Sequence, residues 1–179
     1  MRESTRQAEA RSRLIDERMA QSSREVDEQI KATNKQVAGI TDSLGFFVEH
    51  TVAPACKTLF HDWDIPVHQV SPRRKVSRNG EDMELDLTII NDNTLMVVEA
   101  KFTFRKNDLD DFIAKLPRVT RFFHEYRGMR VLGAVTGMVV HPDIARLAYK
   151  KGLFVLVPSF ATVAIANSGR FKPKEWPQS

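Results

Sequence analysis

Charged side chains alternate with apolar ones on two neighbouring segments in the middle of the chain. Glu84 and Asp86 alternate with leucines on the first segment, and Glu99 and Lys101 flank an alanine on the second. Successive side chains of a β-strand point to opposite faces, so each charged pair shares one face of its predicted strand. Two neighbouring carboxylates repel each other when both are ionised, and a divalent cation relieves that repulsion. Carboxylate oxygens at this density suit Mg²⁺ or Mn²⁺ and not zinc.

The turn between the two segments sets which charged residues oppose each other. Asp92-Asn93 is predicted to be a two-residue hairpin turn, where Asp and Asn tolerate positive φ. This register places Asp86 opposite Glu99. It also places Glu84 opposite Lys101, on the same side of the sheet. Three carboxylates and one ammonium are therefore predicted to converge on one face of the hairpin.

Two interpretations of this charged cluster follow from the residue types. A lysine beside a bound metal can orient or deprotonate a water, and the metal can stabilise charge on a phosphate oxygen by several kcal/mol. Alternatively, charged and apolar residues alternate on any half-exposed strand, and Glu and Lys across a hairpin are ordinary ion-pair partners. The charge pattern alone leaves both interpretations open.

The elements around the cluster predict an α/β fold, a mixed sheet flanked by helices. A helix over residues 43–60 has an apolar stripe, and Pro54 marks a bend in it. The predicted strands cover residues 65–70, 83–90, 94–102, 131–140, 153–157 and 162–166. A turn is predicted at Asn79-Gly80. Helices are predicted over residues 107–126, capped by Asn107, and over residues 141–151, ended by Gly152.

Residues 1–42 differ from the rest of the chain and are predicted to form a helical coiled-coil extension to a domain of residues 43–179. They contain eight basic and eight acidic residues, so the net charge of +4 belongs to residues 43–179. From Val26 onwards, apolar positions repeat at alternating steps of four and three residues, the spacing of a coiled-coil seam. This seam comprises Val26, Ile30, Thr33, Val37, Ile40, Leu44 and Phe47. It predicts a homodimer formed through the N-terminal helix.

Composition limits the location and the alternative chemistries. Cys56 is the only cysteine, so the chain forms no internal disulfide and fits a reducing compartment. No apolar run approaches the roughly 20 residues of a membrane helix, and residues 1–20 lack the apolar centre of a signal peptide. We therefore expect a soluble, cytoplasmic protein. The five histidines have no zinc spacing, no Gly-rich phosphate loop is present, and Cys56 falls on an apolar stripe.

A basic cluster lies where the predicted first strand meets its turn: Arg73, Arg74, Lys75 and Arg78. Such a cluster is usually a solvated surface. Beside a metal site it is a candidate contact for the phosphate backbone of a nucleic acid.

Two strand segments carry a family resemblance: Met83-Glu84-Leu85-Asp86-Leu87 and Val97-Val98-Glu99-Ala100-Lys101. They resemble the two motif strands of the PD-(D/E)XK nuclease superfamily. The following helix and two apolar runs are similar to a bacterial branch of that superfamily with a helical N-terminal extension. The runs are Val131-Leu132-Gly133-Ala134-Val135 and Gly152-Leu153-Phe154-Val155-Leu156, so the resemblance covers residues 40–170.

The resemblance implies a restriction-endonuclease-like core of helix, three strands, helix and strand, and a site at the two motifs. Asp86 and Glu99 would hold Mg²⁺ or Mn²⁺ together with the carbonyl of Ala100. Lys101 would act on the attacking water. Glu49, on the first helix, matches the position of a further acidic ligand in many members, and a solvated helix edge is the alternative.

The implied activity is metal-dependent hydrolysis of phosphodiester bonds in nucleic acid, with DNA favoured over RNA. Leu85 stands where many members have the proline of the motif name, a common variation. Members of the superfamily also include proteins that bind nucleic acid without cutting it. A non-catalytic module for oligomerisation and binding of nucleic acid or protein is therefore the alternative.

Overall fold

The computed structural model of the chain describes residues 21, 25–36, 39–40, 42–160 and 162–178. By its internal contacts the chain divides into two compact units, Met1–Asp42 and Ser43–Ser179. The division falls where the predicted extension ends.

The described residues of the first unit are helical. Val26, Ile30 and Ile40 of the predicted seam are 51 %, 52 % and 49 % exposed. Val37 lies outside the described residues. No helix in the described ranges is long and apolar enough to cross a bilayer.

The second unit contains one mixed sheet of six strands in the order β1-β2-β3-β4-β5-β6. Strands β1 to β3 form an antiparallel meander, β3, β4 and β5 are parallel, and β6 returns antiparallel. Their bounds are Gln69–Arg78, Glu81–Ile90, Thr94–Phe104, Arg130–Val140, Phe154–Ser159 and Thr162–Ile165. The predicted class, a mixed sheet with helices, is confirmed.

Helices precede the sheet and connect its parallel strands. Residues 42–47 are helical and continue through a π-helical turn, Val48–Val52, into α1, Ala53–Leu59. The other helices are α2 (Lys106–Lys115), α3 (Val119–Phe122) and α4 (Pro142–Lys150). Short 3₁₀ turns cover His61–Trp63, Leu116–Arg118 and His124–Tyr126. This is the predicted order of elements.

The predicted first strand is wrong in its position. Residues 65–70 were expected to be a strand, but β1 begins at Gln69 and ends at Arg78. The strand lies at the edge of the sheet, so half of its residues are exposed and its sequence lacks a continuous apolar face. The predicted turn at Asn79-Gly80 is present, with positive φ at both residues.

The predicted helix over residues 107–126 is also divided. It is interrupted by the 3₁₀ turn Leu116–Arg118, because the ring of Pro117 cannot continue a regular helix. Asn107 does not cap it. The cap is Arg105, whose main-chain N–H donates to the carboxylate of Asp108 at 2.8 Å. Gly152 follows the end of α4, as predicted, and it has a positive φ of 84°.

A hydrophobic core lies on each face of the sheet. The first core packs α2, α3 and α4 on the strands, with Leu109, Phe112 and Ala148 fully or almost fully buried. The second core packs the π-helical turn and α1 on the other face, with Val52 and Cys56 buried.

Strand β3 divides its side chains between these two cores. Leu95 and Val97 belong to the first core, and Met96 and Val98 belong to the second. Glu99 is next in this alternation, so its side chain lies on the face that α2 covers.

Candidate metal centre

The register of β2 and β3 is the predicted one. Leu87 pairs with Val98, and the ladder continues to Ile90, which pairs with Leu95. The conformation of the turn differs from the predicted one, because neither Asp92 nor Asn93 has a positive φ. Instead, the side-chain oxygen of Asn91 accepts the main-chain N–H groups of Asn93 and Thr94, at 3.2 and 2.8 Å.

Beyond this ladder, Asp86 pairs through its side chain. Oδ2 of Asp86 accepts the main-chain N–H of Ala100 at 2.8 Å, in place of a strand-to-strand hydrogen bond. This contact sets the carboxylate of Asp86 beside the neighbours of Ala100 in the chain, Glu99 and Lys101. The predicted convergence of these three side chains is therefore present in the structure.

Strand β2 changes face at Asp86. The register of β1 and β2 pairs the residues on either side of Arg73 and Asp86 but not these two, and Arg73 has φ 49°. Leu87 belongs to the second core, whereas Leu85 belongs to the first. Regular alternation would put Leu85, Leu87 and Ile89 on one face, so the prediction of a regular period-two strand is wrong at Asp86. A local irregularity at a strand pair bends the strand and re-aims its side chains.

Glu99 is the most enclosed carboxylate of the centre, at 5 % exposed. Its Oε1 lies 2.7 Å from Nζ of Lys101, and its Oε2 lies 2.5 Å from Nζ of Lys115. Lys115 also donates to the main-chain carbonyl of Glu84 at 3.2 Å. The predicted opposition of Glu84 and Lys101 does not form, because the β2–β3 ladder ends at Leu87 and Val98, and Lys101 pairs with Glu99 instead.

Lys115 is the residue of the centre that sequence reasoning missed. It lies on α2, three residues after Phe112 and directly before Leu116, both of which are buried in the first core. Residues three and four apart lie on the same side of a helix, so Lys115 points towards the sheet. The position of Lys115 beside buried residues of α2 is a sequence signal for a side chain that faces the sheet. It identifies a partner of Glu99 only once α2 is known to cover the face of Glu99.

The charges of the centre shift the pKa values of two of its groups. Burial raises the pKa of Asp86, and the charge of Glu99 raises it further. The hydrogen bond from Ala100 and the ammonium groups of Lys101 and Lys115 oppose this rise without cancelling it. Burial lowers the pKa of Lys101, but its hydrogen bond and ion pair with Glu99 outweigh burial, and the pKa is raised. Lys101 is therefore a cation at neutral pH.

Three oxygen-bearing groups of the centre suit a hard divalent cation. They are the carboxylates of Asp86 and Glu99 and the carbonyl of Ala100. The N–H and C=O of one strand residue point to the same neighbouring strand, so the Ala100 carbonyl faces the side on which its N–H meets Asp86. Mg²⁺ is commonly held by one or two carboxylates with water completing its shell, which matches this set.

Glu49, the predicted additional ligand, is exposed on the π-helical turn. Across the described ranges, no group of three or more His, Cys, Asp or Glu side chains is placed to hold a metal ion. Glu49 therefore does not complete a three-carboxylate set with Asp86 and Glu99 in this structure.

The basic cluster is on β1, and three of its members have partners within the protein. Arg74 pairs with Glu125 at 2.6 Å, and its guanidinium lies over the rings of Phe123 and Tyr126 at 5.8 Å. Lys75 lies 3.5 Å from Asp82, and Nε of Arg78 donates to the carbonyl of Phe122 at 2.5 Å. The side chains of these three residues therefore stabilise the fold, whether or not they also bind a ligand.

Arg73 differs from the rest of the basic cluster. It is exposed, and its side chain makes no ion pair or hydrogen bond with any residue that the structure describes. Arg73 and Asp86 are the two residues that the β1–β2 register leaves out, so Arg73 is the member of the cluster closest in register to Asp86, and its guanidinium lies beside Gly45.

Cys56 provides no alternative nucleophile. It is fully buried in the second core, and burial raises the pKa of its thiol to about 12. The reactive form of cysteine is the thiolate, which is scarce at neutral pH when the pKa is this high.

Comparisons of the chain with protein-family models, with curated proteins and with solved structures give no match in any of the three. A function for the chain is therefore argued from the geometry of Asp86, Glu99 and Lys101.

Proposed function

We propose that the chain is a metal-dependent nuclease of the PD-(D/E)XK type, which hydrolyses phosphodiester bonds of nucleic acid, DNA more than RNA. The observation that carries this proposal is the meeting of Asp86, Glu99 and Lys101 where the β2–β3 ladder ends. The order of elements supports it. A helix, a three-stranded meander, a helical crossover and a parallel strand are the parts of a restriction-endonuclease-like core.

The raised pKa of Asp86 is the second support. Burying two carboxylates together costs free energy, which the hydrogen bond from the Ala100 N–H and the two nearby lysines offset only in part. Pairs of ionisable groups with perturbed pKa values cluster at functional sites. A bound divalent cation would offset this cost.

Each residue has a distinct role in the proposed reaction. Asp86, Glu99 and the Ala100 carbonyl would hold Mg²⁺ or Mn²⁺, which supplies a Lewis acid for the phosphate oxygen and for the attacking water. Nζ of Lys101 stays beside this position, 2.7 Å from Oε1 of Glu99. Because Lys101 is protonated, it orients a water by donating a hydrogen bond and stabilises negative charge on the phosphate.

A second candidate function is favoured by two observations. Both oxygens of Glu99 are already paired with lysines, an arrangement that also suits a structural ion-pair cluster. Val26, Ile30 and Ile40 expose apolar surface on the first unit, which a second copy of the helix would bury. In this alternative the chain is a homodimeric module that binds nucleic acid or protein without cutting it.

The two candidates are separated by incubation of the full chain with plasmid DNA, single-stranded DNA and RNA. Mg²⁺ and Mn²⁺ should each support cleavage, and EDTA should abolish it. Binding of these nucleic acids without cleavage under any of the metal conditions would favour the module.

A further inference from the structure

Lys115 contacts two oxygens of the kind that ligate hard cations. Its Nζ lies 2.5 Å from Oε2 of Glu99 and 3.2 Å from the main-chain carbonyl of Glu84. A carboxylate and a carbonyl are also the ligand types that Mg²⁺ and Mn²⁺ take from proteins. The ammonium of Lys115 therefore occupies an oxygen that the proposed metal ion would need, Oε2 of Glu99.

The charges of the centre balance with this lysine in place. Asp86 and Glu99 supply two negative charges when ionised, and Lys101 and Lys115 supply two positive charges within hydrogen-bonding or coulombic range. A divalent cation added to this set would leave an excess of positive charge in a half-buried place. Like charges held this close repel one another, so a bound divalent cation favours the departure of one ammonium group.

Lys115 is the cation that can leave with the least change in structure. Its helix, α2, is fixed by the buried side chains of Phe112 and Leu116, so the lysine side chain can turn away without moving the helix. The side chain of Lys115 is 25 % exposed and that of Lys101 37 %, so exposure to solvent does not separate the two lysines, and the difference lies in where each is attached. Lys101, by contrast, follows Glu99 by two residues on the same strand and remains on its face whichever rotamer it adopts.

We propose that the ammonium of Lys115 occupies the cation position of the metal-free centre, and that a divalent cation binds by displacing it from Glu99. Lys115 then stabilises the protein before the metal arrives and sets how tightly the metal binds. This inference rests on the proposed metal-dependent function, because it concerns the same pair of carboxylates.

Calorimetric titration of Mn²⁺ into the full chain, with no nucleic acid present, tests the displacement. The variants are Lys115→Met, which keeps the aliphatic stem and removes the charge, and Lys115→Arg, which keeps the charge. The control is Lys57→Met, an exposed lysine of α1. Removing one competing charge should tighten Mn²⁺ binding by about ten-fold or more in Lys115→Met. Lys115→Arg keeps the competing charge and Lys57→Met changes an exposed lysine of α1, so both should bind Mn²⁺ with about the affinity of the wild type.

A melting series provides a second readout that does not depend on the titration. In EDTA, Lys115→Met should melt below the wild type because Glu99 keeps only one partner, and Mn²⁺ should raise its melting temperature more than it raises that of the wild type. If Lys115→Met does not fold in EDTA, Lys115→Gln retains a hydrogen-bond donor and takes its place in both measurements.

Two different results would overturn the inference, and only the second would also overturn the proposed function. Equal or weaker Mn²⁺ binding by the uncharged variants, with clear binding by the wild type, would show that Lys115 does not compete with the metal. Absence of Mn²⁺ binding in every protein of the set would remove the metal centre itself, and the proposed function with it.

Discussion

The side chain of Asp86 and the backbone of Ala100 are joined by one hydrogen bond, in which Oδ2 of Asp86 accepts the Ala100 N–H at 2.8 Å. This bond satisfies an amide that the β2–β3 ladder no longer reaches, since the ladder ends at Leu87 and Val98. It also fixes Asp86 beside Glu99, so two carboxylates are held together by the backbone of β3. The proposed chemistry depends on this pairing.

Asp86 should destabilise the metal-free protein at neutral pH. Its pKa is raised in the folded state by burial and by Glu99, so its contribution is fully present below the unfolded pKa, near 3.8. That contribution is lost as the pH rises through the folded pKa. Asp86→Asn removes the charge and keeps an oxygen for the Ala100 N–H.

Melting curves in EDTA from pH 3 to pH 8 measure this effect. Asp86→Asn should match the wild type at the acidic end and melt above it at pH 7, and Mn²⁺ should raise the melting temperature of the wild type alone. Asp92→Asn, at the other end of the same hairpin, is the control for loss of a carboxylate. A variant that melts below the wild type at pH 7 in EDTA would show that Asp86 is a stabilising group.

Substitution of Arg73 should affect DNA binding, whereas substitution of Arg74 should affect the stability of the fold. Arg73 is exposed, so Arg73→Ala should leave the melting temperature unchanged. If it contacts a phosphate, the variant should weaken DNA binding and reduce the slope of log affinity against log salt by about 0.9. Arg74→Ala removes the pair with Glu125 and two ring contacts, and should cost about 1–2 kcal/mol of stability.

Fluorescence anisotropy with labelled duplex over a salt series, together with denaturant melts, gives both quantities for each variant. An unchanged salt slope in Arg73→Ala would exclude this residue from the nucleic-acid interface. Arg74→Ala with undiminished stability would show that the ion pair and ring contacts of Arg74 contribute nothing measurable to the stability of the fold.

Ile30 should mediate pairing of two chains. It is 52 % exposed, and with Val26 and Thr33 it lines a small surface pocket of the first unit. Burying a few such side chains in a partner helix is worth several kcal/mol, at roughly 25 cal/mol per Å² of apolar area. The polar seam positions reduce this gain, so we expect a homodimer of modest affinity. Light scattering at tens of micromolar should show a dimer for the wild type and a monomer for Ile30→Asp.

The matched control for that measurement is Ala32→Asp, which puts the same charge on a different side of the helix. A truncated chain that starts at residue 43 should be monomeric if the first unit carries the pairing. A monomeric wild type would refute self-association, and a dimeric Ile30→Asp would refute this seam.

The sequence predicts the hairpin well because its information is local. The register of β2 and β3 depends on a turn of two residues, and the strands on either side are apolar and β-branched. Strand β1 was misplaced because an edge strand buries few side chains and its basic residues mask the pattern. Its partner β2, half of whose residues are buried, is predicted at nearly its full extent.

The missing parts of the centre depend on contacts between distant segments. Lys115 joins Glu99 only because α2 packs over β3, which no spacing within either element reveals. The change of face in β2 coincides with the positive φ of Arg73 on the neighbouring strand, a contact between strands that the alternation within β2 does not reveal. A period-two pattern assumes a regular strand, so it assigned Leu85 to the wrong face.

The most direct test of the proposed function is cleavage of supercoiled plasmid in Mn²⁺ by four proteins: the wild type, Asp86→Asn, Lys101→Ala and Asp92→Asn. We expect that the wild type and Asp92→Asn cleave at similar rates, that Asp86→Asn fails with the loss of its metal ligand, and that Lys101→Ala, still folded, loses at least about 100-fold in rate. Cleavage by Asp86→Asn at the wild-type rate, or no cleavage by the wild type in any divalent metal, would contradict the proposed function.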